Sequence, residues 1–269
     1  MKLSNIFSRR NRILLRELVI TDFKLRYQGS VLGYAWSLLK PLFLFAIMYV
    51  VFGMLIKLGS IEHYSVYLLL GIVLWTFFSE ATNQGMGSIV GRGDVMRKIS
   101  FPKYIIVLST TISALVNLTL NMLIVAVFML INGVSIHFTV FMFPLFIIEI
   151  YIFALGLAFL LSALNVKYRD TGHIWEIIMQ AAFYATPIIY PLSIVVERSE
   201  TAAKILMMNP LAQAIQGARY SLITHDTITV SSLFGSVWYV LIPLSIVVAV
   251  FILGTTYFKK NSKYFAENI

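Results

Sequence analysis

Apolar residues form six long runs along the chain, and shorter, more polar segments separate these runs. The run from Trp36 to Ile56 carries a charge only at Lys40. At about 1.5 Å of rise per residue, a helix of this length crosses a hydrocarbon core of about 30 Å. The pattern predicts an all-α integral membrane protein with six transmembrane helices, at 33–57, 63–90, 104–131, 138–165, 172–190 and 233–257.

Residues 9–32 precede the first predicted span and mix charged with apolar positions. A helical stripe in this segment consists of Leu14, Leu18, Thr21 and Leu25. We expect an N-terminal amphipathic helix that lies in the inner interface, with Gly29 and Gly33 permitting the turn into the membrane. The alternative is a simple basic anchor that sets the topology.

The fifth apolar run is short and ends at Thr186 and Pro187. Because proline removes a helical hydrogen-bond donor, the helix should break between Pro187 and Pro191. Residues 191–225 then contain no apolar run long enough to cross a bilayer. We predict a re-entrant or interfacial helical hairpin here, on the outer face between spans five and six.

Basic residues are distributed unevenly between the two sides of this arrangement. With the N-terminus inside, the outer segments hold only Lys57, Arg198, Lys204 and Arg219. An excess of lysine and arginine marks cytoplasmic loops, so both termini are predicted to be cytoplasmic. The chain then divides into a cytoplasmic N-terminus with the interface helix at 1–32, a membrane domain at 33–257 and a cytoplasmic tail at 258–269.

The composition agrees with this class of protein. Of the 269 residues, 59% are hydrophobic and 12% are charged, whereas soluble domains carry about 25% charged residues. The net charge of +9 does not indicate a nucleic-acid partner, because the basic residues cluster between the apolar runs. The chain has no cysteine, which excludes disulfides, a thiol nucleophile and cysteine-based metal sites.

No catalytic or metal-binding pattern is found in the sequence. The four histidines lack the paired spacing of metal ligands, and neither a nucleophile elbow nor a phosphate-binding loop occurs. We therefore predict no catalytic residue, no metal and no cofactor on this chain. If the protein uses nucleotide energy, another chain must bind the nucleotide.

The inner loop at 91–103 is the best candidate contact for a cytoplasmic partner. It is short and charged, contains a plausible helical turn, and stops at a proline just before the next helix. Its candidate contact residues are Arg92, Asp94, Arg97, Lys98, Phe101 and Pro102. A basic loop that only sets the orientation is an equally good interpretation of the composition.

Large aromatic residues are concentrated on the first two spans. They could stack on sugar rings in a conduit, although belts at the membrane interface explain any single ring better. These residues are Trp36, Tyr49, Phe52, Trp75, Phe77 and Phe78. Glu80 differs, because an ionisable group at membrane depth costs roughly 2.5 kcal/mol or more. Together with Asn83 and Gln84 it makes the inner half of span two polar, which indicates packing or a polar lining.

Residues 22–41, DFKLRYQGSVLGYAWSLLKP, resemble the first membrane segment of the type-two ABC permeases that export polysaccharides. That family includes the O-antigen export permeases and the wall teichoic acid export permease. Further similar segments are 71–78, 93–102, 165–170, 187–191 and 209–211, the last followed by Arg219. Lys40 departs from the pattern, since relatives often carry asparagine before this proline.

The resemblance implies a homodimer in the bacterial cytoplasmic (inner) membrane, bound to two copies of a cytoplasmic ATPase that holds ATP and magnesium. The implied cargo is an undecaprenyl-diphosphate-linked polysaccharide, such as O-antigen or a cell-wall glycan, and the implied partners include membrane lipids but no nucleic acid. A wall teichoic acid permease is the nearest alternative. A secondary transporter and a membrane-embedded glycan-handling enzyme are more remote ones.

The resemblance also implies residue roles. The loop at 91–103 would be the coupling helix for the ATPase. The inner gate would consist of Arg16, Lys24, Arg26, Tyr27 and Lys40, with Lys40 near the lipid diphosphate. The conduit would be lined by Tyr34, Trp36, Tyr49, Phe52, Trp75, Phe77, Phe78 and Glu80. The outer re-entrant region at 191–225, with the break that precedes it, would include Pro187, Tyr190, Pro191, Asn209, Pro210 and Arg219.

Overall fold

The computed structural model describes the backbone of residues 8–58, 62–98 and 101–268, and this part is helical without any strand. Within it, the side chains of residues 26, 27, 95, 97, 98, 266 and 268 are not described. The helices are α1 Arg9–Tyr27, α2 Trp36–Met48, α3 Tyr64–Ser88, α4 Gly93–Lys98, α5 Tyr104–Ile131, α6 Phe143–Lys167, α7 Thr171–Ala185, α8 Leu192–Arg198, α9 Glu200–Met207, α10 Pro210–Leu222, α11 Val230–Phe234, α12 Leu241–Asn261 and α13 Phe265–Asn268.

Five helical stretches in the described part are long and apolar enough to cross a membrane. They are Gly33–Leu55, Tyr64–Ser88, Tyr104–Ile131, Phe138–Lys167 and Val237–Tyr264. The first four coincide with predicted spans to within two residues at each end, whereas the last begins four residues later and ends seven residues later than predicted. The remaining predicted span, 172–190, contains α7, which has 15 residues and is therefore about 22 Å long. As the sequence predicts, α7 ends just before Pro187.

Helix α3 is the centre of the bundle, because 78% of its most apolar stretch is buried inside the chain, against 11% for Gly33–Leu55. It packs against α5 on one side and α6 on another. A helix that neighbouring helices shield from lipid can carry polar residues more cheaply than a helix at the surface. Glu80 and Gln84 are partly shielded in this arrangement, whereas Asn83 is exposed.

Small residues allow the other close helix contacts. Helix α6 packs along α12, and a Cβ atom added to Gly254 would overlap the carbonyl group of Gly156. On its other side, α6 meets α3 where a Cβ atom on Gly85 would overlap Ala158. Without a hydrophobic driving force between helices in lipid, such close backbone approach is a main source of association.

Helix α1 lies along the start of α5. Ser8 caps its first turn by accepting a hydrogen bond from the backbone N–H of Asn11. The chain then turns at Gly29 and Gly33, which have φ values of 78° and 48° and so use the left-handed region that glycine tolerates. A helix and a glycine turn are therefore present in this segment, and the position of the helix in the membrane interface stays a prediction. The predicted stripe holds at Leu14 and Leu18, which are partly buried, but not at Thr21 and Leu25, which are exposed, because Asp22 lies near α5 instead.

Residues 191–225 form three short helices, α8 to α10, rather than a simple hairpin. The first begins directly after Pro191, and the last begins at Pro210, where the missing N–H of proline costs nothing. Residues 211–219 of α10 are all buried. This helix packs on α6 and on the start of α3.

Candidate functional site

A cleft of about 880 Å³ opens between α2, α3 and α5. We call it the amide cleft, since its polar lining is rich in amide side chains. It is lined by Trp36, Ser37, Lys40, Pro41 and Leu44 from α2, by Trp75, Thr76, Ser79, Glu80, Asn83 and Gln84 from α3, and by Asn117 and Asn121 from α5. The combination of hydrogen-bonding groups with two tryptophan rings suits a polar ligand that also has flat apolar faces, as a sugar does.

Glu80 is held in the cleft by amide donors. The side-chain nitrogen of Asn117 lies 3.1 and 3.0 Å from the two carboxyl oxygens, and that of Gln84 lies 3.0 Å from one of them. Such donors stabilise a carboxylate away from bulk water. The side-chain oxygens of Asn117 and Asn121 have no hydrogen-bond partner in the described part of the chain. Both oxygens are buried, so they are unsatisfied acceptors inside the wall of the cleft.

The structure divides the predicted conduit residues into three groups. Trp36, Trp75 and Glu80 line the amide cleft, together with the predicted gate residue Lys40. Phe77 and Phe78 are buried in the core, where the ring of Phe78 stacks on Phe153 with centroids 5.4 Å apart.

The other three candidate aromatics lie away from the cleft. Tyr34 is half exposed and stacks on Phe23 of α1, with centroids 5.1 Å apart. Tyr49 stacks between Phe45 and Tyr64, while Phe52 is partly buried against the core.

At the end of α3, Arg92 joins three elements. Its guanidinium forms an ion pair with Asp22 of α1 and donates a hydrogen bond of 3.1 Å to the hydroxyl of Ser109 on α5. Both charged side chains are mostly shielded, with relative exposures of 16% and 17%. Burial lowers the pKa of Arg92, and the neighbouring carboxylate compensates the buried charge. We call this arrangement the Asp22–Arg92 link.

The rest of the predicted coupling loop lies beside this link. Residues Gly93–Lys98 form the short helix α4, in agreement with the predicted helical turn. Asp94 is exposed in its first turn, and Phe101 and Pro102 are partly buried. The side chains of Arg97 and Lys98, like those of the gate residues Arg26 and Tyr27, lie outside the described residues. Arg16 and Lys24 are exposed on α1.

Arg219 is fully buried at the opposite end of α3. Its guanidinium donates hydrogen bonds to the carbonyl oxygens of Pro187 and Ile188, both at 2.6 Å, and to that of Tyr67 at 3.1 Å. It also donates to the side chain of Gln216 at 3.0 Å and lies 3.5 Å from the ring centroid of Tyr67. We call this arrangement the arginine clamp. It satisfies carbonyl groups that the proline break leaves outside any helix.

The remaining predicted outer residues stabilise the same region. The side chain of Asn209 caps α10 by accepting from Leu211 N–H at 3.0 Å, and its amide donates to Thr186 at 3.4 Å. The hydroxyl of Tyr190 donates to the carbonyl of Tyr184 at 3.1 Å. Pro191 and Pro210 mark the starts of α8 and α10. All these groups support the helix break and the short helices after it.

Several site residues escaped the sequence analysis, although a signal was present for most of them. Thr76 and Ser79 lie at helical spacing before Glu80 and Asn83, which the sequence had identified on α3, and Asn117 and Asn121 are one turn apart on α5. Polar stripes of this kind within apolar runs indicate a face turned away from lipid. Asp22 and Ser109 gave no comparable signal, because each acts only through the distant Arg92.

Comparisons with known proteins agree with this architecture. Residues 13–223 match the family described as ABC-2 type transporter. A protein of Myxococcus xanthus named O-antigen export system permease protein RfbA is 31% identical over 200 residues, which are 74% of this chain and 76% of the relative. Two proteins of Klebsiella pneumoniae with the same name are 30% and 28% identical over 201 residues, with the same coverage.

Proposed function

The chain belongs to the ABC-2 type transporter family and is a transport subunit rather than a catalytic enzyme, and from this premise we propose that it exports an O-antigen polysaccharide. In this proposal the cargo is linked to undecaprenyl diphosphate and moves from the cytoplasm to the outer face of the inner membrane. Its similarity to three O-antigen export permeases favours O-antigen over teichoic acid as the cargo.

The observation that carries the proposal is the amide cleft. The ring of Trp36, which is 44% exposed, offers a flat apolar face to a sugar ring, while amide and hydroxyl groups can exchange hydrogen bonds with sugar hydroxyls. Lys40 is exposed at the cleft and supplies a positive charge for a diphosphate. The cleft is open at the surface of the single chain, so a second copy facing it would close a conduit between two subunits.

The Asp22–Arg92 link suggests how an ATPase would drive such a conduit. In the proposal, a cytoplasmic ATPase with bound ATP and magnesium contacts α4, directly after Arg92. Because Arg92 bonds to α1 and α5 at once, displacement of α4 would move both helices. Helix α1 would then act as the gate helix that lies in the inner interface. A change of this kind requires the ATPase to contact α4 differently in its two states.

The proposal includes six crossings, with α7 as the short fifth one and α8 to α10 as re-entrant helices on the outer side. The concentration of lysine and arginine near α1, α4 and the end of α12 supports two cytoplasmic termini. The arginine clamp supports a re-entrant position, since non-helical backbone at membrane depth needs internal partners for its carbonyls.

The test uses a bacterial strain that lacks its own O-antigen permease and expresses this chain with its ATPase. We expect O-antigen to reach the cell surface, and the purified complex to contain two copies of each chain and to hydrolyse ATP. Asn83→Trp should fill the amide cleft and abolish display at normal expression, while Thr119→Trp, exposed on α5 outside the cleft, should not. A chain that binds no ATPase, or an Asn83→Trp variant with full display, would contradict the proposal.

The coupling step has its own test in the same strain. Charge reversal at Arg97 and Lys98 should leave ATP hydrolysis intact but separate it from export. The measurement compares ATP hydrolysis by the purified complex with surface O-antigen. Retained export at the wild-type ratio to hydrolysis would show that α4 does not transmit the motion.

A further inference from the structure

A second cleft, of about 700 Å³, lies where α5 begins and α12 ends, at the same end of the bundle as the Asp22–Arg92 link. Its walls include Phe159 of α6 and Phe258 of α12, and three lysines surround it: Lys103, Lys259 and Lys263. This volume lies within the range of small-molecule sites. The cleft shares no lining residue with the amide cleft, and the proposed export does not use it.

The lysines give this cleft an excess of positive charge. Lys259 and Lys263 are exposed and form no ion pair with the described residues. Lys103 donates a hydrogen bond of 2.5 Å to the carbonyl of Ser262, and Glu267 is the carboxylate that interacts with it. Burial lowers the pKa of Lys103, and an anion in the cleft would oppose that effect.

The cleft is continuous with an apolar surface of α12. Ile252, Thr256, Lys259 and Lys263 follow one another at helical spacing, so they share one face. Ile252 is 56% exposed, and it lies one helical turn before the lining residue Thr256, away from the lysines along α12. The face therefore changes from apolar to hydroxyl-bearing to cationic within about three turns. A phospholipid shows the same order from acyl chain to glycerol to phosphate.

We propose that this cleft is a binding site for one anionic phospholipid, whose phosphate contacts the three lysines and whose acyl chain lies against Phe159, Phe258 and Ile252. Basic pockets between membrane helices are a known type of site for anionic head groups. A free phosphate ion would use the lysines but not the apolar walls, so the site fits a lipid better than an inorganic anion. The inference does not depend on which cargo the protein exports.

The test measures the melting temperature of the purified full-length chain in detergent during titration with dihexanoylphosphatidylglycerol. Dihexanoylphosphatidylcholine and inorganic phosphate are titrated in parallel. We expect a saturable rise in melting temperature with phosphatidylglycerol and no saturable rise with the other two. In a variant carrying Lys259→Gln and Lys263→Gln, the half-saturating concentration should increase roughly 30-fold, as expected for two lysines near a membrane surface.

Two further variants separate the cleft from general surface charge. The matched control carries Lys167→Gln and Lys260→Gln, which removes the same charge from exposed lysines outside the cleft and should bind as the wild type does. Thr256→Trp should fill the cleft and weaken binding without changing the charge. Equal responses to the two lipids, a response to phosphate alone, equal losses in both double variants, or wild-type binding by Thr256→Trp would each overturn the proposal.

Discussion

The two ends of α3 hold a buried arginine in different ways. At the arginine clamp, Arg219 is fully buried and bonds mainly to backbone carbonyls of α3 and of the break after α7. At the Asp22–Arg92 link, about 35 Å away along the helix axis, the partners of Arg92 are a carboxylate and a hydroxyl on two other helices. Backbone carbonyls cannot leave unless the segment unfolds, whereas side chains can rotate away. The comparison indicates a fixed end and an end that can rearrange.

Removal of Arg219 is the strongest test of the fixed end. In Arg219→Ala, the carbonyls of Pro187 and Ile188 would lose their donors, at a cost of roughly 1–3 kcal/mol each. Together with the cavity that remains, this should prevent recovery of a monodisperse protein. The measurement is fluorescence-detected size exclusion of detergent extracts, followed by a melting curve.

Two further variants test whether this result is specific to the guanidinium of Arg219. Arg219→Lys should fail almost as badly, because an ammonium group cannot reproduce the planar fork that reaches several carbonyls. Arg198→Ala, at the exposed end of α8, should behave like the wild type. If Arg219→Ala melts at the wild-type temperature, the clamp does not stabilise the helix break.

A smaller disturbance of the same end comes from α3. A Cβ atom on Gly71 would overlap the guanidinium of Arg219 and lie 3.2 Å from the carbonyl oxygen of Ile188. Gly71→Ala should therefore lower stability by about 1–3 kcal/mol, the usual cost of overpacking. The melting temperature should fall by several degrees while the protein still folds.

Gly87 provides the matched control for Gly71. It lies on the same helix, but a Cβ atom there would meet nothing within 4 Å. Gly87→Ala should leave the melting temperature unchanged or raise it slightly, because alanine favours the helix by up to about 1 kcal/mol. Equal effects of the two substitutions would show that helix propensity, rather than the clamp, decides the outcome.

Much of the fixed end was predictable from local sequence. The helix break at Pro187 and the turn at Gly29 could be predicted, because proline and glycine act directly on the backbone conformation of neighbouring residues. The bonds of Arg219 were not predictable, since Tyr67 is 152 residues away in the chain. Asp22 is likewise distant from Arg92 in the chain. The sequence therefore predicted that Arg92 contacts a partner protein, but it did not predict the ion pair with Asp22.

The amide cleft illustrates a second limit of the sequence. Glu80, Asn83 and Gln84 were identified as unusual because polar residues in an apolar run are conspicuous. It was harder to predict which aromatic residues line the cleft, because Trp75 and Phe78 lie on the same apolar helix. Only the neighbouring helices decide that the ring of Trp75 borders the cleft while that of Phe78 stacks on Phe153.

Reversal of one charge in the Asp22–Arg92 link should affect both the stability of the protein and the coupling of ATP hydrolysis to export. Asp22→Arg or Arg92→Asp alone should cost roughly 3 kcal/mol, because each puts two like charges in contact at a mostly shielded site. Each should also reduce export relative to ATP hydrolysis, since α4 would no longer pull on α1. The measurement compares surface O-antigen with the ATPase rate of the purified complex.

The double variant with Asp22→Arg and Arg92→Asp restores the opposite charges in exchanged positions. It should recover most of the lost export, which a purely structural defect at either site would not. If the exchange rescues neither coupling nor melting temperature, the ion pair is not what joins α1 to α4. At the arginine clamp no such rescue is expected, because the partners there are backbone groups.

Lys40 should give the smallest change in stability, because its side chain is exposed at the amide cleft. In the proposed function its charge attracts the diphosphate of the cargo, which is worth about 1 kcal/mol for a single lysine near a membrane surface. Lys40→Ala should therefore lower export roughly fivefold while the melting temperature stays at the wild-type value. Lys260→Ala, an exposed lysine of α12 outside both clefts, should leave O-antigen display unchanged. Unchanged O-antigen display by Lys40→Ala at normal expression would show that the diphosphate does not bind at Lys40. The amide cleft would then recognise only the sugar part of the cargo.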